Sequence, residues 1–304
     1  MEKTQLIQAI QTLKQEKDAI ILAHYYTDGA IQEAADYIGD SYYLSKIAKE
    51  AKQQLIVFCG VRFMGESAKI LSPHKKVLMP DKEADCPMAH MVTLEQIKEV
   101  RKQHEDVAVV CYINSTAEIK ALSDVCVTSS NALKIVRNIE ASHIYFIPDE
   151  NLGQYVEQYV PEKTFIFNKG FCPIHKSMNK ALVLEAKAQY PEAEILIHPE
   201  CTPDVVALGD YVGSTSGIIE YATKSTSQQF IVCTEIGIEY ALQKNNPDKV
   251  FHFVGDMRAC GSMKCVTLET LYNALKDEQY EITLDEAIMK KAEHALLEMH
   301  RLAD

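Results

Sequence analysis

The stretch Asp85-Cys86-Pro87-Met88-Ala89 decides the fold, because its cysteine recurs in the similar settings Phe171-Cys172-Pro173-Ile174-His175 and Ala259-Cys260-Gly261-Ser262-Met263. Cys86 and Cys172 are 86 residues apart, and Cys172 and Cys260 are 88 residues apart. Spacing this regular indicates three copies of one structural unit. We expect each copy to deliver one thiolate to a shared centre.

Other landmarks follow nearly the same period. Tyr26 and Tyr112 are 86 residues apart, and so are Asn114 and Glu200; Ser41 and Ser129 are 88 apart, and Ser129 and Thr215 are 86 apart. Apolar runs predict three strands in each copy, at 19–23, 55–58 and 76–79, then 107–110, 144–147 and 164–167, then 195–197, 230–232 and 250–253. Helical patterns separate these strands, and the first of them extends through Ile38.

Strands that alternate with helices predict βαβ units and parallel sheets. The expected fold class is therefore α/β, with three pseudo-threefold-related domains around a central active site, each a small parallel sheet flanked by helices. The predicted boundaries are 1–106 for the first repeat with its N-terminal helix, 107–190 for the second and 191–266 for the third. The segment 267–304 reads as a helical tail that packs on the outside, and we assign it no chemistry.

Composition excludes several classes of function. The 304 residues carry a formal charge of −12 and lack a basic cluster, which argues against nucleic acid as a partner. The longest apolar runs are shorter than the roughly 20 residues that span a bilayer, and the first residues read as an amphipathic helix rather than a signal peptide. We therefore expect a cytoplasmic protein with no membrane partner, whose nine cysteines do not form disulfides.

Six of the nine cysteines lie outside the repeated setting. Four belong to apolar runs and are interpreted as structural, namely Cys59, Cys111, Cys126 and Cys233. Cys201, in a loop after Glu200, and Cys265, five residues after Cys260, are candidates to replace a ligand. Cys86, Cys172 and Cys260 share their register in the three repeats, so they are the predicted metal ligands.

Three thiolates without a repeated fourth ligand leave two chemical options. One is a catalytic zinc with an open position, and the other is an iron–sulfur cluster in which one iron lacks a protein ligand. Single thiolates from distant segments fit a cluster better, because structural zinc sites use local C-x₂-C pairs. An open iron can act as a Lewis acid on a substrate hydroxyl or carboxylate, as in a dehydratase.

Polar residues follow the first strand of each repeat, where parallel α/β sheets bind their ligands. These loops carry His24 and Tyr26, then Tyr112 and Asn114, then His198 and Glu200. Phenols, a glutamate and imidazoles can move protons near neutral pH. Hydroxyls at predicted helix starts form a second set, suited to phosphate or carboxylate, at Ser41, Ser129, Ser214 and Thr215. His175 and Lys264 are weaker candidates for contacts to substrate or to cluster sulfur.

Longer motifs carry a resemblance to a known family. They include ILAHYYTDGAIQEAADYIGDS at 21–41, FCGVRFMGESAKILSP at 58–73, VVCYINSTAEIKALSDVCVTSSNA at 109–132, NKGFCPIHK at 168–176, ILIHPECTPDVVALGDYVGSTSGI at 195–218 and CGSMKCVTLE at 260–269. With these motifs the chain resembles the quinolinate synthase family over essentially its full length. Matches of this length are highly specific.

The resemblance implies a triangular fold around a [4Fe-4S] cluster held by three cysteines, which map onto Cys86, Cys172 and Cys260. It implies the condensation of iminoaspartate with dihydroxyacetone phosphate to quinolinate, with loss of phosphate and water, a transferase or dehydratase-type step in NAD biosynthesis. An iminoaspartate-producing enzyme and the iron–sulfur assembly machinery are the implied partners. The family's site residues carry over onto His24, Tyr26, Ser41, Tyr112, Asn114, Ser129, His198, Glu200 and Thr215.

The resemblance also implies roles for these residues. Glu200, Tyr26 and Tyr112 would move protons, with His198 beside them, while the hydroxyls, His24 and Asn114 would hold carboxylates and phosphate. Some relatives carry an additional C-x-x-C near the last ligand, whereas here the neighbour is Cys265 at a different spacing. This difference argues against a disulfide switch.

Two other functions compete with this interpretation. Radical enzymes of the diphthamide type share the three-repeat plan, although the His-Tyr-Tyr and His-Pro-Glu loops argue against them. A zinc- or cluster-bearing sensor of a small acid is the non-enzymatic alternative. Metal analysis and the absorbance of anaerobically purified protein distinguish these functions.

Overall fold

The computed structural model describes residues 2–255 and 259–303 and contains three four-stranded sheets, one in each repeat. Every pairing within these sheets is parallel. Helices flank each sheet, so the predicted fold class of three small parallel α/β units is confirmed.

The first repeat holds the elements α1 (Lys3–Glu16), β1 (Ala19–His24), α2 (Gly29–Ala34), β2 (Tyr37–Gly39), α3 (Ser41–Glu50), β3 (Leu55–Cys59), α4 (Arg62–Leu71), β4 (Lys76–Leu78), a 3₁₀ turn (Pro87–His90) and α5 (Leu94–Gln103). The second holds β5 (Val107–Tyr112), α6 (Ala117–Lys120), β6 (Val125–Val127), α7 (Ala132–Arg137), β7 (His143–Ile147), α8 (Glu150–Glu157), β8 (Thr164–Phe167), α9 (Pro173–Ser177) and α10 (Lys180–Gln189). The third holds β9 (Glu194–Ile197), α11 (Pro203–Val206), β10 (Tyr211–Val212), α12 (Thr215–Lys224), β11 (Gln229–Cys233), a 3₁₀ turn (Ile236–Ile238), α13 (Glu239–Asn245), β12 (Val250–Phe253) and α14 (Gly261–Lys264). The tail forms α15 (Leu268–Asp277) and α16 (Glu286–Ala303).

Each sheet has an edge strand that the sequence pattern did not predict. The strand orders are β2-β1-β3-β4, β6-β5-β7-β8 and β10-β9-β11-β12. The prediction of a helix through Ile38 was wrong, because the helix ends at Ala34 and the chain then pairs with β1 as β2. The missed strands β2, β6 and β10 are two or three residues long, too short to show an alternation of polar and apolar residues.

An aspartate fixes each of these edge strands to its neighbour. Asp36 Oδ2 accepts a hydrogen bond from the backbone N–H of Ile21 at 2.8 Å, and Asp210 Oδ2 accepts one from Ile195 at 2.8 Å. In the second repeat, Asp124 Oδ2 accepts the N–H of Val109 at 2.6 Å. A charged acceptor shortens such a bond and strengthens it. The aspartates therefore hold very short strands in register.

Three lysines recur at the period of the repeats. Each donates hydrogen bonds to backbone carbonyls at or just beyond the C-terminal end of the helix that follows an edge strand. Lys75 Nζ donates to the carbonyls of Ala48 and Ala51, at the end of α3, over 3.0 and 2.5 Å. Lys163 Nζ donates to the carbonyls of Ile139 and Ala141, just beyond the end of α7, and Lys249 Nζ donates to those of Ala222, in the last turn of α12, and Ser225, just beyond it. The last carbonyls of a helix have no hydrogen-bond partner within it, and a cation also suits the negative end of a helix.

The strand registers correct one equivalence that was inferred from spacing. Ala23 pairs with Cys59 and Cys111 pairs with Ile147, so the next residues, His24 and Tyr112, are equivalent. Tyr26 therefore corresponds to Asn114 rather than to Tyr112, and the predicted 86-residue equivalence of the two tyrosines was wrong. The error arose because the spacing of the cysteines differs from that of the sheets. The loop after β4 is longer than the loop after β8, and this difference in loop length causes the two spacings to differ.

The tail is helical, as predicted, and it covers the first two repeats. Leu268, Leu271 and Leu275 of α15 join a buried cluster with α1, β1 and β3 of the first repeat. Leu296 and Met299 of α16 belong to the larger core of the first and second repeats. Within the residues described, no helix combines the length and the apolar character needed to cross a bilayer.

Candidate active site

A cavity lies between the three repeats, beyond the carboxyl ends of their first strands. It is narrow, with a cavity volume of about 70 Å³. Ser214 and the weaker candidate Lys264 do not line it, but the other predicted site residues do, namely His24, Tyr26, Ser41, Cys86, Tyr112, Asn114, Ser129, Cys172, His198, Glu200, Thr215 and Cys260. His175, Thr128 and Glu235 also line it.

Cys86, Cys172 and Cys260 occupy the same local position, the residue before a short helical turn. The backbone N–H groups that follow them point at the sulfur atoms and lower the pKa of each thiol, but burial outweighs them and raises it, to about 12 for Cys86. Negative charge on one thiol raises the pKa of another, as Cys260 does for Cys86. These thiols are therefore protonated at neutral pH until a cation replaces their protons.

A carboxylate holds the backbone of each of these cysteines. The N–H of Cys86 donates to Asp85 Oδ1 at 2.8 Å. Cys172 and Cys260 donate to Asp149 Oδ2 at 3.1 Å and to Glu235 Oε1 at 2.9 Å. The Asp149 and Glu235 side chains are fully buried, so their hydrogen bonds are shielded from competing water.

The donor set fits an iron–sulfur cluster. Three free thiols from three different repeats line one cavity, packed against the apolar core, with backbone N–H groups directed at the sulfurs. Soft thiolates of this kind select iron–sulfur clusters or zinc. A second set of ligand atoms overlaps the first, because Cys172, His175 and Glu200 offer one atom each within 4.8 Å of one another.

Two buried histidines line the cavity as neutral rings. Nδ1 of His24 accepts the backbone N–H of Tyr26 at 3.1 Å, and Nδ1 of His198 accepts that of Glu200 at 3.3 Å. Burial lowers the pKa of each ring to about 3, although the negative charge of Glu200 acts in the opposite direction. A neutral ring that accepts at Nδ1 carries its proton on Nε2. His198 Nε2 lies 3.2 Å from Ser129 Oγ, so it can donate to a hydroxyl or to a ligand oxygen.

Glu200 is the buried carboxylate at the centre of the site. Tyr112 donates a short hydrogen bond to its Oε1, and His175 Nδ1 lies 2.7 Å from its Oε2, although Nδ1 is not aligned with that oxygen for a hydrogen bond. Burial raises the pKa of Glu200, but the nearby imidazoles of His175 and His198 and the hydrogen bond from Tyr112 outweigh burial and bring the pKa below its usual value. Burial and the Glu200 charge raise the pKa of Tyr112 well above 10.0. Glu200 is therefore ionised and Tyr112 protonated at neutral pH.

Tyr26 is held by two threonine hydroxyls of the third repeat. Its phenol oxygen lies 2.8 Å from Thr215 Oγ1 and 2.9 Å from Thr234 Oγ1. Burial, and next the Glu200 charge, raise the pKa of Tyr26 well above 10.0. Lys264, a weaker candidate from the sequence, donates from Nζ to the carbonyl of Tyr26 at 3.0 Å.

Two helices begin at the cavity wall with hydroxyl residues. Ser41 is the first residue of α3, and Thr215 is the first residue of α12. Ser214 has a different task, because it caps α12 through a 3.1 Å bond from the N–H of Gly217 and does not line the cavity. Ser129 does line it, but the prediction that a helix begins there was wrong. The Thr128 N–H bonds to Asn131 Oδ1 in a turn, and α7 begins only at Ala132.

Sequence reasoning missed several residues of the site. Thr234, Asp149 and Glu235 follow the third strands of their sheets, where Asp149 and Glu235 are 86 residues apart. That spacing matches the period of the repeats, and it was the signal in the sequence from which Asp149 and Glu235 could have been predicted. Cys201 and Cys265 do not line the cavity: Cys201 is buried beside Met178, and the Cys265 thiol bonds to the carbonyl of Gly261.

Comparisons with known proteins agree over almost the whole chain. The family described as "Quinolinate synthetase A protein" matches residues 8–301. A quinolinate synthase of Clostridioides difficile (strain 630) is 53% identical over 295 residues, covering 97% of this chain and 97% of its own length. Those of Caldicellulosiruptor saccharolyticus and Sulfurihydrogenibium sp. (strain YO3AOP1) are each 50% identical and cover 100% and 96% of both chains, respectively. With its three thiols, two phenols and buried glutamate around one cavity, this chain belongs to the quinolinate synthase family.

Proposed function

We propose that this protein condenses iminoaspartate with dihydroxyacetone phosphate to give quinolinate, phosphate and water, as a step of NAD biosynthesis. The observation that carries the proposal is the meeting of Cys86, Cys172 and Cys260 with Glu200 and its hydrogen-bonded Tyr112 in one cavity. Membership of the quinolinate synthase family supports the same reaction.

The proposed cofactor is a [4Fe-4S] cluster bound by Cys86, Cys172 and Cys260. Such a cluster, when bound through three cysteines, supplies an iron that can polarise a leaving hydroxyl. The matched settings of the three thiols favour this ligand set over Cys172, His175 and Glu200, which draws two of its members from one repeat and one from another. Iron and sulfide in anaerobically purified protein support the cluster, whereas one zinc per chain contradicts it.

The substrate anions would bind to neutral donors. His24 and His198 present Nε2–H groups, and the N-termini of α3 and α12 supply hydroxyls and free backbone N–H groups from Ser41 and Thr215. Asn114 and Ser129 supply an amide and a hydroxyl on the side of the second repeat. Neutral donors suit a cavity that already holds the Glu200 carboxylate, because they bind anions without neutralising it.

Glu200 and the two tyrosines would move the protons of the reaction. An ionised carboxylate can remove a proton from carbon, and the phenols of Tyr112 and Tyr26, which keep their protons at neutral pH, can donate to a developing enolate or leaving oxygen. The burial of Tyr112, His198 and Glu200 also protects an imine from hydrolysis. We place the enzyme in the cytoplasm, supplied by an iminoaspartate-producing enzyme and loaded by iron–sulfur assembly proteins.

An anaerobic assay tests this function. Purified protein, dihydroxyacetone phosphate and freshly generated iminoaspartate should yield quinolinate and inorganic phosphate in equal amounts. The matched control is the Glu200→Gln variant, which keeps the size of the side chain but loses the base. Cleavage of S-adenosylmethionine in the presence of a reductant, with no quinolinate formed, would overturn the assignment in favour of a radical enzyme.

A further inference from the structure

Lys264 ends α14, four residues after Cys260, and its ammonium contacts the loop that follows β1. Nζ donates to the carbonyl of Tyr26 at 3.0 Å and lies 3.0 Å from Oδ1 of Asp28. It also lies 3.7 Å from Oε1 of Glu235, the oxygen that accepts the N–H of Cys260. Three oxygens of the protein therefore surround an ammonium that has three N–H bonds. These contacts leave the ammonium little capacity to bind a substrate anion or a cluster sulfur.

Lys264 differs from its equivalents in the other two repeats. Four residues after the first and second cysteines stand His90 and Lys176. His90 Nε2 lies 2.8 Å from Oδ2 of Asp85, and Lys176 Nζ lies 3.6 Å from the centre of the Phe171 ring. Both side chains contact residues beside their own cysteine. The short turn after the cysteine therefore does not itself require a contact with a neighbouring repeat.

The third repeat approaches the loop after β1 at a second point. A Cβ atom on Gly237 would lie 2.7 Å from Cα, C and O of Tyr26, so the two backbones pack directly on each other. Nε2 of the buried Gln32 donates to the carbonyls before and after that of Tyr26, each over 2.9 Å, and to that of Gly237 over 3.0 Å. Three successive carbonyls of the loop thus accept from side chains. Of the two donors, Lys264 is the one that belongs to the third repeat.

The position of the Tyr26 backbone determines where its phenol lies. That phenol is a proposed proton donor at the central cavity, and a displacement of a reacting group by about 1 Å can cost on the order of 100-fold in rate. The side chain of Lys264 is 24% exposed, whereas that of Asp28 is 54% exposed. An ion pair with so exposed a partner contributes little. The bond to the Tyr26 carbonyl is therefore the contact through which Lys264 holds the loop.

We propose that Lys264 is a positioning residue that fixes Tyr26 by binding its carbonyl. It thereby ties the proton donor of the first repeat to the helix that follows the proposed cluster ligand of the third repeat. This inference rests on the proposed function. Because Lys264 acts through Tyr26, a neutral replacement should slow the chemical step without weakening the binding of substrate.

The test compares K264M, which nearly keeps the length of the side chain but loses its charge and its donors, with K244M. Lys244 is an exposed lysine that lines the same surface pocket as Lys264, so K244M is the matched control. Both variants are purified anaerobically and assayed with iminoaspartate and dihydroxyacetone phosphate, and kcat is expressed per bound cluster from the iron and sulfide content. We expect kcat of K264M to fall about 10- to 100-fold and that of K244M to stay within about twofold of the parent.

The separation of kcat from KM distinguishes positioning from a contact with substrate. Loss of an interaction that acts only in the transition state lowers kcat, so KM of K264M should stay within about twofold of the parent. Asp28→Asn tests the other partner of the ammonium. It removes the charge of an exposed carboxylate, and we expect its kcat to stay within about twofold of the parent.

Gly237→Ala replaces K264M if that variant binds less iron than the parent. The added Cβ displaces the Tyr26 backbone and leaves the ammonium in place, so kcat should fall in the same way. Three results would overturn the inference: a kcat equal to that of the parent in K264M or in its substitute, a raised KM at unchanged kcat, or equal losses in Asp28→Asn and K264M. Failure of the proposed function looks different, because the parent protein itself would then form no quinolinate.

Discussion

The backbone N–H of Cys260 donates a 2.9 Å hydrogen bond to Oε1 of Glu235, a carboxylate that is fully buried. Asp149 does the same for Cys172 from the equivalent position of the second repeat. These carboxylates fix the direction in which each thiol leaves the backbone. If the proposed cluster binds to the cysteines, these carboxylates orient its ligands, as is usual for groups next to metal ligands.

We therefore expect Glu235→Ala to lower iron retention. Loss of a ligand-orienting group costs roughly 10- to 100-fold in metal affinity, and Glu235→Gln should cost less because it keeps an acceptor oxygen. Iron release to a chelator under anaerobic conditions measures the effect. Glu239→Ala, at an exposed position of α13, is the matched control. Equal iron release by the Glu235→Ala and Glu239→Ala variants would contradict the prediction.

Each cysteine in the repeated setting should be needed for the cluster. Cys86→Ala, Cys172→Ala and Cys260→Ala each remove one of the three proposed ligands, which come from separate repeats, so each should abolish the cluster absorbance. Cys126→Ala should not, because Cys126 is buried in the second sheet and does not line the cavity. A retained cluster in any of the first three variants, measured by iron and sulfide content, argues against the proposed ligand set.

The two buried histidines predict a loss of stability in mild acid. The pKa of His24 and of His198 is lowered from 6.5 to about 3. Below pH 6.5 the two rings therefore bind protons in the unfolded chain, whereas in the folded chain they stay neutral until the pH approaches about 3. Stability is full above pH 6.5 and declines as pH falls below it. Linkage gives a loss of about 2 kcal/mol for each ring between pH 7 and pH 5.

Urea denaturation at the two pH values measures this loss. Replacing His24 by Asn removes one titrating ring but keeps an acceptor for the Tyr26 N–H, so it should reduce the loss by about 2 kcal/mol. An unchanged difference between pH 7 and pH 5 in this variant would count against a neutral, buried His24.

The first and third repeats meet at a charged hydrogen bond. Ser216 Oγ donates to Asp40 Oδ2 at 2.5 Å, and Oδ1 of the same carboxylate caps α3 through the N–H of Tyr43. Ser216→Ala should lower the stability by about 2 kcal/mol, the usual contribution of a hydrogen bond to a charged group. It should also raise KM, because Ser41 and Thr215 stand beside this contact.

Thermal unfolding and steady-state kinetics check both effects of Ser216→Ala. Ser227→Ala removes a hydroxyl whose bond to the Gln229 carbonyl is exposed and lies within the third repeat, and it serves as the control. If Ser216→Ala and Ser227→Ala had the same midpoint of thermal unfolding and the same KM, the contact between the repeats would contribute neither to stability nor to substrate binding.

Much of the fold could be predicted because the long strands are apolar and recur. The cysteine setting and the loops after the first strands carried enough chemistry to place twelve of the thirteen predicted site residues at one cavity. Ser214 was the exception. Its hydroxyl caps α12, and sequence alone cannot distinguish a capping serine from one that binds a ligand.

What could not be predicted depends on short elements and on loop lengths. β10 has two residues, and no periodicity can be read from two residues. The spacing of Tyr26 and Tyr112 was misread as evidence that they are equivalent. The number of residues between two positions includes the lengths of the loops, whereas the pairing of the strands decides which residues are structurally equivalent. Asp149, Thr234 and Glu235 resemble surface residues in the sequence, and only the meeting of three repeats buries them.

The position of α15 also constrains how the chain folds during its synthesis. Ile21 and Val57 of the first sheet are covered on one side by Leu271 and Leu275, which leave the ribosome more than 200 residues later. The first repeat to be made is therefore among the last to be completed, because its apolar face stays uncovered until α15 has been made. A chain cut short before α15 would expose an aggregation-prone surface.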